Sequence, residues 1–409
     1  MPLPIQHEYP LSRGSLHDFG ITVDKQPSVI EFGTKYTKFG FIGEPSPRCI
    51  IPSEVTVLDT NETRKLFSYT SEEDLYYLLV ELIHVLYYKY AQTSPKGRRV
   101  VIVESLLAST FFKDTLAKVL FDHYHFAVVT FVPSHLVSIY TLAISSGLVI
   151  DVGHEEAVVI PVFENFPVLK GWQGQSRAAK AVEEHLKSLL IEDVEQNSDS
   201  EEAKKKSIEL IKKLSDSTLE DIRVRCCFVT TFERSLLLAE GKEPKPCPPS
   251  VDYYINGDTK LTVPGSVREK AYEAIFQKDG EQNSLPHMVL DSVLQCSIDA
   301  RKKLAENLII IGGTSMAIGF KPRLDAELKA LIKVPAYNDK LFLTTFKYHT
   351  PPTKANCVTW LGGSIFGATE SCIHHAVTKE NYNSQAASYP DWSNYYIRQM
   401  GDLRISPEL

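Results

Sequence analysis

A chain of 409 residues is too long for one compact core and predicts two to three domains or one large two-lobed α/β unit. With 43% apolar, 23% charged and 10% aromatic residues, it excludes a disordered chain, a collagen and a disulfide scaffold. Its 44 basic against 51 acidic residues leave a net charge of −7, which argues against general binding to nucleic acid or to an anionic membrane.

The seven cysteines are odd in number and irregularly spaced, with no C-x-x-C, so no zinc or disulfide framework is expected. Reduced thiols in the cytosol or nucleus are the simple expectation. The opening MPLPIQHEYP lacks the basic-then-apolar pattern of a signal peptide.

Residues 1–27 are weakly patterned and read as a loose arm. Three short strands follow, SVIEF, YTKFGFI and RCIIP, punctuated by Gly and Pro. Ser71 is placed to cap a long helix whose first turn is acidic and whose body is YYLLVELIHVLYYKY. Next come strand RRVVIVE and a helix over 109–124. From His123 to Ile150 there is no charged side chain, but Pro133, the serines and Gly147 divide the run. It reads as a buried strand, a Pro-started helix and a second buried strand, not as a membrane span. A hairpin, VIDVG–HEEA–VVIPVF, opens the second half. Residues 192–217 read as a charged surface insertion. DSVLQCSIDARKKLAEN reads as helix, LIIIGG as a buried strand and 319–333 as another helix. Alternating strands and helices predict an α/β sheet with largely parallel strands.

One internal echo stands out. Val29-Ile30-Glu31-Phe32-Gly33 is matched by Val149-Ile150-Asp151-Val152-Gly153, each an apolar strand, a carboxylate and a Gly before a second strand. The pair predicts a duplicated fold with two hairpins. Glycine turns let backbone amides approach phosphates, and a carboxylate at a strand end can hold hydrated Mg²⁺. Two more Gly-rich turns, Ile311-Gly312-Gly313-Thr314 and Trp360-Leu361-Gly362-Gly363-Ser364, complete the series.

These four turns in this order resemble the actin family, over roughly residues 28–392. Lys38-Phe39-Gly40-Phe41-Ile42-Gly43 resembles the first actin hairpin, and Ser297-Ile298-Asp299-Ala300-Arg301-Lys302-Lys303-Leu304 the stretch before the adenosine-side glycines. Pro351-Pro352 leading to the Trp360 motif, then Thr378-Lys379-Glu380, resembles the C-terminal block. The resemblance implies a ribonuclease-H-like duplicated, two-lobed α/β fold with a central nucleotide cleft. The lobes would be 28–150 and 151–345, with 346–409 returning to the first. ATP or ADP would meet Gly33, Thr34, Lys35, Asp151, Gly153, Arg223, Gly312, Gly313, Thr314 and Lys354, with Asp151 reaching Mg²⁺ through water.

The departures matter as much. Actin's first loop, Asp-Asn-Gly-Ser-Gly, is here Glu31-Phe32-Gly33-Thr34-Lys35, and its second, Asp-Ser-Gly-Asp-Gly, is Asp151-Val152-Gly153-His154-Glu155. The water-orienting His falls on Val158 and its Gln partner near His135; the ribose-side Lys-Glu pair falls on Arg223-Val224. Hydrolysis is therefore not expected, although binding is. Only 17 residues separate Ser53 from Ser71, where actin carries a much longer outer subdomain whose loop enters the next protomer of a filament. The shortening, at about 54–70, implies a protomer that can end a filament but not extend it. Within the family, Pro47-Arg48-Cys49-Ile50-Ile51-Pro52-Ser53 and Pro133-Ser134-His135-Leu136 point to the pointed-end members of dynactin. The implied setting is the cytoplasmic cytoskeleton and dynein-driven transport on microtubules. The implied partners are actin-type protomers and other pointed-end subunits, with no nucleic acid and no membrane insertion. The competing expectations are a nuclear actin-related subunit of a chromatin remodeller and a weak ATPase of the sugar-kinase and chaperone fold class.

Four features have plainer readings. His123 and His125 are expected at the surface, one of Cys226 and Cys227 in the core, an exposed aromatic subset on helix 75–90, and solvated charges over 195–213.

Overall fold

The structure is a computed structural model, and it describes residues 25–384, apart from 58–60, 198–199, 243 and 279–282, together with Trp392. Most of the expected N-terminal arm, and the chain beyond 384 save Trp392, lie outside the described residues. The chain forms two compact units: one runs to Val132 and resumes from Gly363 to Asp391, and the other holds Pro133–Gly362.

In the first unit the strands are β1 (Ser28–Phe32), β2 (Tyr36–Phe41), β3 (Cys49–Pro52), β4 (Glu54–Thr56), β5 (Thr63–Lys65), β6 (Arg99–Glu104) and β7 (Val128–Pro133). β1 and β2 form the antiparallel hairpin the sequence suggests, and β1 runs parallel to β6, whose Val100–Val103 are buried on both faces. Helix α1 (Glu72–His84) begins where expected: Ser71 Oγ accepts from the Asp74 amide at 3.2 Å. Leu75, Leu78, Leu79 and Leu82 recur at helical spacing and pack beneath the sheet beside α2 (Thr110–Lys118), each contributing about 1.5–3 kcal/mol of burial. Tyr77 and Tyr88 stay exposed, the aromatic subset anticipated for this helix.

The second unit starts with α3 (Ser134–Tyr140) and then β8 (Gly147–Val152), β9 (Ala157–Phe163), β10 (Phe166–Pro167) and β11 (Gln173–Gln175). Helices α4 (Ala179–Asn197), α5 (Glu201–Lys212) and α6 (Asp216–Cys226) precede the ribbon β12 (Val251–Ile255) and β13 (Thr259–Val263). Strand β14 (Leu308–Ile311) lies parallel to β8, just as β6 does to β1. The last strand, β15 (Val377–Thr378), returns to β7 in the first unit.

The internal echo is a true duplication of local geometry. The Gly33 amide donates to the Tyr36 carbonyl at 3.1 Å, and the Gly153 amide to the Glu156 carbonyl at 3.0 Å, so the same turn closes both hairpins.

Several expectations are corrected. The units divide at Val132–Pro133 and Gly362–Gly363, not at 150 and 345. The reason is packing: α3 lies against β8 and β9, and the segment after Phe346 is tied to β14 by the bond from the Leu308 amide to the Lys347 carbonyl at 2.9 Å. The helix expected over 291–307 is two helices, Leu285–Gln295 and Ile298–Ala305. Cys296 and Ser297 between them are extended, and the Arg301 guanidinium binds the Leu294 and Cys296 carbonyls that end the first. The Trp360 motif is helical, within Val358–Gly367; Gly363 is required because a Cβ there would lie 2.4 Å from Val103 Cγ2. Cys226 and Cys227 are both buried, because α6 ends between them and Cys227 is extended; burial pushes the Cys227 thiol up to about 12. In the charged stretch Ile211 and Leu214 reach the core while most of α5 stays solvated. No helix among the described residues is long and apolar enough to cross a membrane.

Candidate functional site

In the first unit the loop after β1 is held from one side. Ser53 Oγ donates to the Gly33 carbonyl at 2.6 Å, its amide donates to the Lys35 carbonyl at 2.9 Å, and its hydroxyl also meets Thr37 Oγ1 at 2.8 Å. Thr34 lies exposed at the tip and Lys35 is half-buried. Glu31 pairs with Lys38, its cross-strand neighbour in the hairpin. The second Glu31 carboxylate oxygen is buried without a hydrogen-bond partner among the described residues. Lys38 and Ser53 were not among the expected site residues, yet counting outward from the Gly33–Tyr36 turn puts Lys38 opposite Glu31, so that ammonium was legible in the sequence.

In the second unit three segments converge. The residues Asp151–Gly153 end β8; Gly312, Gly313 and Thr314 follow β14; and Lys354 opens a turn at Ala355–Cys357. Thr314 Oγ1 donates to the Gly153 carbonyl at 2.6 Å, and the Gly312 amide to the Ala355 carbonyl at 3.1 Å. Gly312 has φ +91, and a Cβ there would sit 2.3 Å from the Val152 carbonyl oxygen and 2.6 Å from Asp151 Oδ1. Only glycine permits this apposition. Lys354 is exposed beside it.

Arg223 is engaged by partners of its own. Its guanidinium is buried between Glu183 Oε1 at 3.1 Å and the Tyr272 hydroxyl at 3.3 Å, with Glu220 at 3.9 Å. Burial works against its charge, but Tyr272 and Glu183 outweigh that and hold the guanidinium above its ordinary range. The side chain is committed to the packing of α6 on α4.

Two further positions bear on chemistry. Val158 is the β9 partner of Asp151 in the hairpin and is buried, so the position expected for a water-orienting histidine carries a buried apolar side chain. His135, at the start of α3, is fully buried, with Nδ1 3.0 Å from Ser134 Oγ and Nε2 lacking a hydrogen-bond partner among the described residues. Burial pushes its imidazole down to about 4, so it is neutral in the folded state at pH 7. Because the unfolded chain takes up the proton at about 6.5 and the folded chain does not until about 4, stability present above pH 6.5 is lost as the pH falls through that window. The expected loss relative to His135→Gln approaches ~3 kcal/mol at pH 4, read from urea midpoints of both proteins across that range.

His123 and His125 contact Tyr76 and Lys379 respectively, and the described residues contain no cluster of three or more His, Cys, Asp or Glu suited to a metal. For a nucleotide the donor set fits in part. Within the second unit Lys354 supplies an ammonium group, and Asp151 is the strand-end carboxylate that suits hydrated Mg²⁺. The Gly153 amide, however, is spent on its own turn and the Thr314 hydroxyl on Gly153.

The geometry agrees with comparisons to known proteins. The model of the family described as Actin matches residues 76–391. Actin-related protein 10 of Dictyostelium discoideum is 25% identical, the alignment covering 90% of this chain and 89% of that protein. Centractin of Schizosaccharomyces pombe is 22% identical over 88% of this chain and 96% of its own length. With duplicated hairpins, parallel β6 and β14 beside them, and a family match over most of its length, the chain belongs to the actin family.

Proposed function

We propose that this protein is a non-catalytic subunit that ends a short actin-like filament, capping its pointed end within dynactin and so serving dynein-driven transport. The observation that carries this reading is the reduced outer part of the first unit. Among the described residues between Ser53 and Ser71 the chain makes the ribbon β4–β5, with Val55 opposite Arg64, and one short turn of helix at Leu66–Ser68. Arg64 forks onto Asp74 at 2.6 and 2.7 Å, pinning the ribbon against the start of α1. A ribbon this short offers no long loop to a further protomer.

The opposite requirement, a surface that holds the protomer it caps, is supported in the second unit. Arg301 joins two segments there, bonding the Cys296 and Leu294 carbonyls on one and the Lys340 carbonyl on the other at 2.8 Å. Each segment carries an outward apolar side chain, Ile298 at 79% and Phe342 at 82% exposure. Phe342 also sits at φ +51, a left-handed conformation uncommon for a bulky residue. The double variant Ile298→Ser, Phe342→Ser is expected to fold as the parent does and to lower co-recovery with actin-type protomers about tenfold or more. Unchanged recovery in a quantitative pull-down would remove this surface from the account.

Nucleotide belongs to the proposal as a bound ATP or ADP with Mg²⁺. Lys354 and Asp151 would hold it in the second unit. Loss of a water-positioning group costs about 10²–10⁴ in rate, so Val158 and neutral His135 leave turnover near background. Growth of filaments from the capped end in a pointed-end elongation assay would contradict the capping role.

A further inference from the structure

The first unit carries a cavity of about 370 Å³ that the filament-end reading does not use. It is lined by Glu72 at the start of α1, by Phe111, Asp114, Thr115 and Lys118 on α2, and by Tyr382 from the helix Lys379–Asn383. Its aromatic walls are braced from behind. The Tyr382 ring stacks on Phe121 with centroids 4.7 Å apart and planes 21° apart, and the Phe111 ring stacks on Tyr69 at 5.8 Å and 26°. Phe111 is nevertheless 41% exposed, so a ring held in place by one neighbour shows its surface to solvent.

The charges are unbalanced toward the acidic side. Lys118 is the single cation in the lining, and it is already paired with Glu72 at 3.1 Å. Asp122, next to the cavity, accepts from the Tyr382 hydroxyl at 3.4 Å. Asp114 has no ion-pair partner among the described residues. A carboxylate beside two fixed ring faces is the arrangement that recognises a guanidinium. The planar group lies against an aromatic face while its N–H fork meets the carboxylate, which a compact, strongly hydrated ammonium does less well.

We infer that this cavity receives an arginine side chain from a basic segment of a partner protein, stacked between Phe111 and Tyr382 and paired with Asp114. The proposal is independent of the filament-end reading, since no residue lining the cavity belongs to the β4–β5 ribbon or to the surface of Ile298 and Phe342.

The test uses the full-length chain labelled with 3-fluorotyrosine, the Tyr382 resonance being assigned through Tyr382→Phe. Nα-acetyl-arginine amide is titrated in, with Nα-acetyl-citrulline amide as the neutral isostere and Nα-acetyl-lysine amide as the alternative cation. A saturable shift with the arginine amide is expected, weakened about tenfold in Asp114→Asn and absent with citrulline. Phe111→Leu, which keeps the volume and removes the ring face, is expected to weaken it as well. No shift with the arginine amide, an equal response to citrulline or lysine, or an unchanged response in Asp114→Asn would each overturn the proposal.

Discussion

Arg223→Met is expected to destabilise the second unit by about 3–5 kcal/mol, with or without nucleotide present. The guanidinium is 5% exposed and lies between Glu183, itself 5% exposed, and the Tyr272 hydroxyl. Removing it leaves a buried carboxylate without the cation that neutralises it, and methionine can fill the space but not supply the charge. A ligand contact would behave differently: it would weaken nucleotide binding and leave the stability of the free protein unchanged. The urea midpoint read from Trp172 and Trp360, both in this unit, separates the two. Arg223→Met with Glu183→Leu should recover part of the loss, since replacing both charges by apolar side chains removes the buried carboxylate that Arg223 offsets.

The second large effect is expected at the convergent loops. Gly312→Ala forces a Cβ into a left-handed backbone conformation at φ +91 and within 2.3 Å of the Val152 carbonyl oxygen. The conformation alone costs about 1–2 kcal/mol and the backbone clash adds to it, so a loss of about 3 kcal/mol or more is expected. The strain falls where β8 and β14 end side by side, so the Asp151 loop must move away from Thr314. Any nucleotide held by Asp151 and Lys354 should therefore be lost in parallel with stability. Gly313→Ala is the matched control, since the nearest atom a Cβ there would meet is Asn356 Cβ at 4.0 Å.

Much of this was written locally. The Gly33 and Gly153 turns announce themselves because a carboxylate, one residue and a glycine end an apolar strand in both halves, and the same amide-to-carbonyl closure follows in each. Ser71 and its acidic first turn fix the start of α1 by chemistry contained within four residues. What stayed hidden depends on partners far along the chain. Arg223 reads as a site residue by position in a family pattern, but Glu183 and Tyr272, 40 and 49 residues away, claim its side chain. The break between Gln295 and Ile298 is likewise set by Arg301, whose guanidinium collects carbonyls from Leu294, Cys296 and Lys340. A continuous helical pattern cannot reveal that competition. The unit boundary at Val132–Pro133 falls inside an uncharged run, where apolar residues pack in either unit and composition gives no signal.

The most direct test of the filament-end reading is affinity isolation of the tagged full-length protein from cytosol, with subunit ratios measured by quantitative mass spectrometry. The account predicts recovery with actin-type protomers in a fixed ratio, one copy of this protein against several of them, together with the other subunits of dynactin. Recovery alone, at equimolar ratio along a filament, or with chromatin-remodelling subunits would leave the actin fold in place and contradict the role as a filament end.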